Sequence, residues 1–164
     1  MQNELISQSL PQVILVNEKD EAVATMDKME AHQKGLLHRA FSIFIFNRNG
    51  EMLLQQRAEE KYHSASLWTN ACCSHPLPGE HVADAAHRRL KEEMGFDTEL
   101  VEAFHFTYKS VFENGLTEHE YDHVFTGVYD GAMNPDNREV KDHRFDEMKN
   151  IRTDMLIRSE KYTT

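Results

Sequence analysis

The sequence predicts an α+β fold, layers of β-structure flanked by helices, and three patterns carry that prediction. A strand–turn–strand unit occupies residues 41–57, a helix-period stretch follows at 80–94, and two strand-like runs, 100–112 and 117–129, precede a helical tail. Strands on both sides of a central helix, closed by a second helix, bury their apolar faces as stacked layers around one core. The 164 residues, 40% of them hydrophobic, suit a single domain spanning 1–164, with no repeat or Pro/Gly/Ser linker to divide it.

Each element has its own warrant. Phe41, Ile43, Phe44, Ile45 and Phe46 form an aromatic and β-branched run, Asn47, Arg48, Asn49 and Gly50 supply turn chemistry, and residues 51–57 return as the second arm of an expected β-hairpin. Between 80 and 94 the period changes. Val82, Ala85, Ala86 and Leu90 share one helical face, Pro78 precedes them, and Gly95 stands where a helix C-cap belongs. The runs 100–112 and 117–129 are rich in Val, Phe, Tyr and Thr, with Glu113, Asn114 and Gly115 as the turn between them. From 144 to 161, Phe145, Met148, Ile151, Met155 and Ile157 recur near helical spacing, which predicts an amphipathic helix laid over the sheet.

Charge and cysteine content narrow the function. A formal net charge of −10 argues against nucleic acid or an anionic membrane as partner, because both demand a basic surface. A small anionic ligand remains compatible, provided a few Lys and Arg side chains or a divalent cation overcome the field locally. The two cysteines are adjacent and make no disulfide framework, and residues 1–10 lack a basic start and an apolar signal run, so a reducing, cytoplasmic location is expected.

The chemistry centres on the run Trp68-Thr69-Asn70-Ala71-Cys72-Cys73-Ser74-His75-Pro76, where a thiol and an imidazole stand just upstream of a carboxylate-rich helix. That helix ends Arg88-Arg89-Leu90-Lys91-Glu92-Glu93-Met94-Gly95-Phe96 and resembles the Nudix box, with Ser74 in place of the opening Gly and Arg89 in place of the Glu after the box Arg. An Arg there exchanges a metal-binding carboxylate for a phosphate clamp and argues against hydrolysis. Taken alone, Arg88/Glu92 and Arg89/Glu93 would be surface ion pairs, worth about 0.3–0.5 kcal/mol each. His32, His38 and His75 add imidazoles, and Glu118 and Glu120, two apart in a predicted strand, project from one face.

Ala31-His32, Leu37-His38-Arg39-Ala40-Phe41, the Cys73 run and Glu118-His119-Glu120, in this order around a degenerate Nudix box, resemble the type I isopentenyl-diphosphate isomerases from about Val13 to the end of the chain. The resemblance implies a Nudix-like fold and the interconversion of isopentenyl and dimethylallyl diphosphate in isoprenoid biosynthesis. It implies His32, His38, His75, Glu118 and Glu120 as ligands of one divalent metal (Mn²⁺, Mg²⁺ or Zn²⁺), and Cys73 and Glu120 as proton-transfer groups with Tyr108 assisting. It also implies Lys28, Arg57, Lys61 and Arg89 as diphosphate-binding residues, with Glu93 holding a Mg²⁺ that bridges the substrate phosphates. Glu120 with Tyr108 is expected to deliver the proton and Cys73, as a thiolate, to remove one. The partner is then a small diphosphate, with the chain acting as monomer or homodimer.

Family members carry a Trp shortly after a segment like Lys161-Tyr162-Thr163-Thr164, where this chain stops, so either the sequence is a piece lacking that end or catalysis is impaired. Trp68 is read as core or loop support and Cys72 as a small buried apolar group; His63, His81, His87, His105, His119, His123 and His143 are read as structural or exposed. A Nudix-type diphosphohydrolase, supported by Glu92 and Glu93, is the alternative, and a non-catalytic metal- or diphosphate-binding module comes third.

Overall fold

The structure is a computed structural model describing residues 11–61 and 63–163; the reading of residues 1–10 lies outside them. In chain order the described elements are β1 (Gln12–Val16), β2 (Ala22–Asp27), α1 (Lys28–Lys34), β3 (His38–Phe46), β4 (Met52–Arg57), β5 (Trp68–Thr69) and β6 (Cys72–Ser74). They continue with α2 (Val82–Met94), β7 (Leu100–Val111), β8 (Thr117–Val128), β9 (Val140–Asp146) and α3 (Met148–Ile157).

β3 is the hub. It runs parallel to β8 from His38↔Glu120 to Phe46↔Val128, and its other edge is shared by β6 at Phe41–Ile43, β1 at His38 and β4 at Phe46. That sharing corrects the expected hairpin. The turn forms, with Gly50 N–H donating to the Asn47 carbonyl at 3.0 Å, but Phe46↔Met52 is the one registered pair. Because β6 occupies the edge beyond it, β4 peels away and pairs along its length with β9.

Alternation along these strands makes the layers. Phe41, Ile43, Ile45 and Leu53 face one way and pack with Ala85, Ala86, Leu90 and Met94 of α2. Met52 and Leu54 face the other way and pack with Ile151 of α3, Tyr162, Phe44 and Trp68, so helices cover both faces. Trp68 is thus packing support, with the Arg144 guanidinium 4.5 Å from its ring centre. Gly95 closes α2 at φ 75°, and a Cβ there would lie 2.2 Å from the Asn134 carbonyl oxygen.

The tail reading is half right. Residues 144–146 belong to β9, because backbone pairing with β4 decides their state and the helical spacing of Phe145 does not. α3 then buries Ile151 alone, leaving Leu156 88% and Ile157 72% exposed. The expected pair β7–β8 is antiparallel, Leu100↔Gly127 to Val111↔Thr117. Among the described residues, no helix is long and apolar enough to cross a membrane.

Candidate active site

The same alternation that builds the core builds a cavity of about 560 Å³ on the opposite side of the central strands. Ser42 and Phe44 of β3, Cys73 of β6, Tyr108 of β7, and Glu118, Glu120 and Asp122 of β8 all line it. Cys72, one residue from Cys73, points the other way and is fully buried against α2, as expected of it. A period of two therefore separates the packing cysteine from the one that lines the cavity.

At one end lie His32, His38, His75 and Glu120, whose ligand atoms all fall within 4.8 Å of one another. Asp27 caps α1 by accepting from the Glu30 N–H at 2.9 Å, and that short helix presents a buried His32. His32 Nδ1 donates to the Lys28 carbonyl at 2.6 Å and His38 Nδ1 to the Leu36 carbonyl at 2.8 Å. A carbonyl can only accept, so both protons sit on Nδ1 and both Nε2 atoms carry lone pairs. Among the described residues these two Nε2 atoms are buried without a hydrogen-bond partner. His75 Nε2 faces Glu120 Oε1 at 2.9 Å, and His38 Nε2 lies 3.5 Å from the same oxygen.

Burial lowers the pKa of His32 and takes that of His75 down to about 3, keeping the imidazoles neutral as metal ligands require. Burial works against charge on Glu120, but the His38 and His75 imidazoles beside it carry its pKa well below the usual range. Orphaned imidazole lone pairs converging on a carboxylate fit a divalent cation.

Glu118 does not join the four. Its Oε2 accepts from the Tyr108 hydroxyl at 3.1 Å, and its Oε1 lies 3.4 Å from His63 Nε2. The same hydroxyl lies 2.7 Å from Glu120 Oε2, so Tyr108 links the two carboxylates. Burial and the Glu120 charge raise Glu118 to about 7, and burial likewise raises Tyr108, which stays a phenol.

Cys73 is exposed to the cavity, yet desolvation by the surrounding walls pushes its thiol up to about 12, with the Asp122 charge adding to the rise. That direction favours the thiol, where the sequence reading expected a thiolate, because a carboxylate stands nearby.

The cavity also has a cationic lining. Lys28, Arg57, Lys61 and Arg89 line the cavity together with Glu93. The Nε atoms of Arg57 and Arg89 are buried without a partner among the described residues, which suits an incoming anion. Lys61 pairs with Glu139, and Arg89 pairs with Glu92 at 2.6 Å and with Glu93. Arg88 grips Glu80 through two bonds, at 2.7 and 2.8 Å, and reaches Glu92 at 3.3 Å. The carboxylates of the degenerate box are thus neutralised by arginines, the expected i,i+4 pairs among them.

The sequence reading missed several lining residues. His63, read as structural, is stacked 4.9 Å from Phe112 at the cavity wall, and burial lowers its pKa to about 4. Ser42 and Asp122 could have been found by counting in twos from His38 and Glu120. Phe104 and Phe106 had no signal beyond β-propensity.

The sequence profile of the NUDIX domain matches residues 36–163. An isopentenyl-diphosphate Delta-isomerase 2 of Aromatoleum aromaticum is 52% identical over 93% of this chain and 80% of its own length. An isopentenyl-diphosphate Delta-isomerase of Pectobacterium atrosepticum is 49% identical over 94% of this chain and 86% of its own. The chain belongs to this NUDIX isomerase family. The fold agrees: the crystal structure of DR0079 from Deinococcus radiodurans superimposes with a TM-score of 0.75 at 16% identity, covering 90% of each chain. A MutT protein from Methanosarcina mazei Go1 gives 0.61 at 20% identity over 70% of this chain and 80% of its own. In this family member the Nudix helix is retained while Arg89 stands among its acids.

Proposed function

We propose that the cavity interconverts isopentenyl and dimethylallyl diphosphate, with Cys73 on one side of the five-carbon unit and Glu120 with Tyr108 on the other. Moving the double bond adds a proton at one carbon, passes a tertiary cation, and removes a proton elsewhere, so one acid and one base must act on the same substrate. The observation that carries the reading is the shared cavity: a thiol and a histidine-held carboxylate with its tyrosine line one slot together with four cationic side chains. Isomerase relatives near 50% identity favour this over a diphosphohydrolase, and the arginines on Glu80, Glu92 and Glu93 agree.

The reading requires Cys73 and Glu120 to hold one proton between them. A 1,3-shift needs that loading, since two loaded groups could remove nothing and two empty ones could deliver nothing. Each group is then acid in one direction and base in the other.

His32, His38, His75 and Glu120 would hold a divalent cation, and their nitrogen-rich donor set suits Mn²⁺ or Zn²⁺ better than Mg²⁺. Held there, the ion would supply a fixed orientation for Glu120 and would draw off part of its charge. Lys28, Arg57, Lys61 and Arg89 grip the diphosphate, with Glu93 placed to take a substrate-borne Mg²⁺. Phe44, Phe104, Phe106 and Val124 supply the apolar lining that keeps water from the cation.

Cys73→Ala tests this. Turnover is expected to fall by about 10³-fold or more, the upper range for one proton-transfer group, while inorganic pyrophosphate binds within about threefold of the original affinity. Retained turnover in the folded variant would remove Cys73 from the reaction.

A further inference from the structure

We infer that Asn70 is a positioning residue for the Cys73 thiol, a role that rests on the reading of Cys73 as a proton-exchange group. Asn70 lies in the short link between β5 and β6. Its Nδ2 donates to two main-chain carbonyls, Ile43 of β3 and Cys72 of β6, each at 3.0 Å. Carbonyls only accept, so turning the amide over would set its oxygen against two oxygens. Oδ1 is therefore fixed as the acceptor on the opposite side. There it takes the Cys73 thiol proton at 3.0 Å and the Thr69 hydroxyl proton at 3.0 Å. Thr69 Oγ1 is held in turn by the Thr163 hydroxyl at 3.0 Å.

Among the described residues the sulfur has one other polar neighbour, Ser42 Oγ at 3.5 Å, whose proton goes to Asp122 Oδ2 at 2.7 Å. Ser42 is therefore turned as an acceptor as well, at longer range. The short bond to Asn70 sets where the sulfur sits, and it aims the S–H at the amide. Rotation about the Cβ–Sγ bond can then turn the proton from the amide into the cavity without moving the sulfur. A cysteine side chain has one torsion that moves its sulfur, so a single rigid acceptor is enough to choose the rotamer. Anchoring the amide to the backbone of two paired strands makes the acceptor as rigid as the sheet.

Asn70→Ala is expected to lower kcat by about 10- to 100-fold, the cost of roughly 1 Å of misplacement, with KM and inorganic pyrophosphate affinity held within about threefold. Asn70→Asp keeps the shape and the acceptor but loses both donors, so it is expected to stay as slow. The infrared S–H stretch supplies a readout that mere structural support would not move. In the unsubstituted protein, isolated as the difference against Cys73→Ala, it is expected at the lowered frequency of a thiol bonded to an amide oxygen. It should move to the free-thiol frequency in Asn70→Ala. A free-thiol frequency in the unsubstituted protein overturns the inference whether or not the variants fold. So does a folded Asn70→Ala with kcat within threefold, a fall in kcat matched by loss of pyrophosphate affinity, or full activity in Asn70→Asp. Absence of isomerisation by the unsubstituted protein defeats the reading of Cys73 instead, because the infrared measurement needs no turnover.

Discussion

Replacing Asp122 with asparagine is expected to stabilise the folded protein above neutral pH and to change it little in acid. The side chain is 3% exposed, Oδ2 accepts from Ser42 at 2.7 Å, and Oδ1 has no partner among the described residues. Burial, opposed by the Ser42 bond and reinforced by the Glu120 charge, raises its pKa from 3.8 to about 7. The sign follows from where the proton is held. Below 3.8 the carboxyl is protonated folded or unfolded, and nothing is lost. Between 3.8 and about 7 the unfolded chain ionises while the folded one does not, so stability drains away as pH rises. At ~1.4 kcal/mol per pH unit, the full loss above the folded pKa is about 4 kcal/mol, an upper bound for a group that relaxes on ionising. Asparagine stays neutral and can still accept from Ser42, so it avoids that loss. Urea unfolding of both proteins in chelator, at pH 4 and at pH 8, reads the difference: near zero in acid and several kcal/mol in favour of the variant at pH 8. A difference that is equal at the two pH values, or of opposite sign, refutes the reasoning.

Mn²⁺ at about a hundred times its Kd should raise unfolding stability by about 2.7 kcal/mol, an effect His75→Ala removes; an equal shift in the variant would place the ion elsewhere. Ile151→Ala, which empties the buried anchor of α3, is expected to cost about 2–5 kcal/mol, whereas Leu156→Ala, at 88% exposure, should fall within about 0.5 kcal/mol in denaturant titrations. Gly95→Ala must fit a Cβ 2.2 Å from the Asn134 carbonyl oxygen at φ 75°, so its melting temperature should drop well below that of Gly50→Ala, where no atom lies within 4 Å.

What the sequence made legible was the local part of the molecule. The spacing of Val82, Ala85, Ala86 and Leu90 fixed α2 because a helix reads its own neighbours, and Gly95 ended it as expected. The β7–β8 pair was equally visible, being joined by a tight turn that ends at Gly115. The divergence of β3 and β4 was not, since it depends on β6 claiming an edge from 31 residues along the chain, the separation of Ser42 and Cys73. The strand in residues 144–146 was lost to a helical spacing for the same reason: pairing with β4 outweighs local pattern.

The site divides similarly. Residues that bear unusual chemistry, Cys73, His75 and the Glu118–Glu120 pair, stood out in the sequence, and the cavity gathers them. Ordinary residues that owe their role to position did not stand out. Asn70 and Ser42 look like loop and strand polar groups until their partners are known. The sequence pointed to a thiolate, whereas desolvation and the Asp122 charge favour the thiol, because protonation state belongs to the surroundings.

The central claim is that a thiol and a metal-held carboxylate pass a proton across one five-carbon unit. Incubating isopentenyl diphosphate with the metal-loaded protein in D₂O, followed by NMR, reads it directly. Deuterium appearing in the methyl group of dimethylallyl diphosphate, with both phosphates still attached, is the predicted result. Inorganic phosphate or pyrophosphate released without labelled isomer would contradict it and return the cavity to hydrolysis.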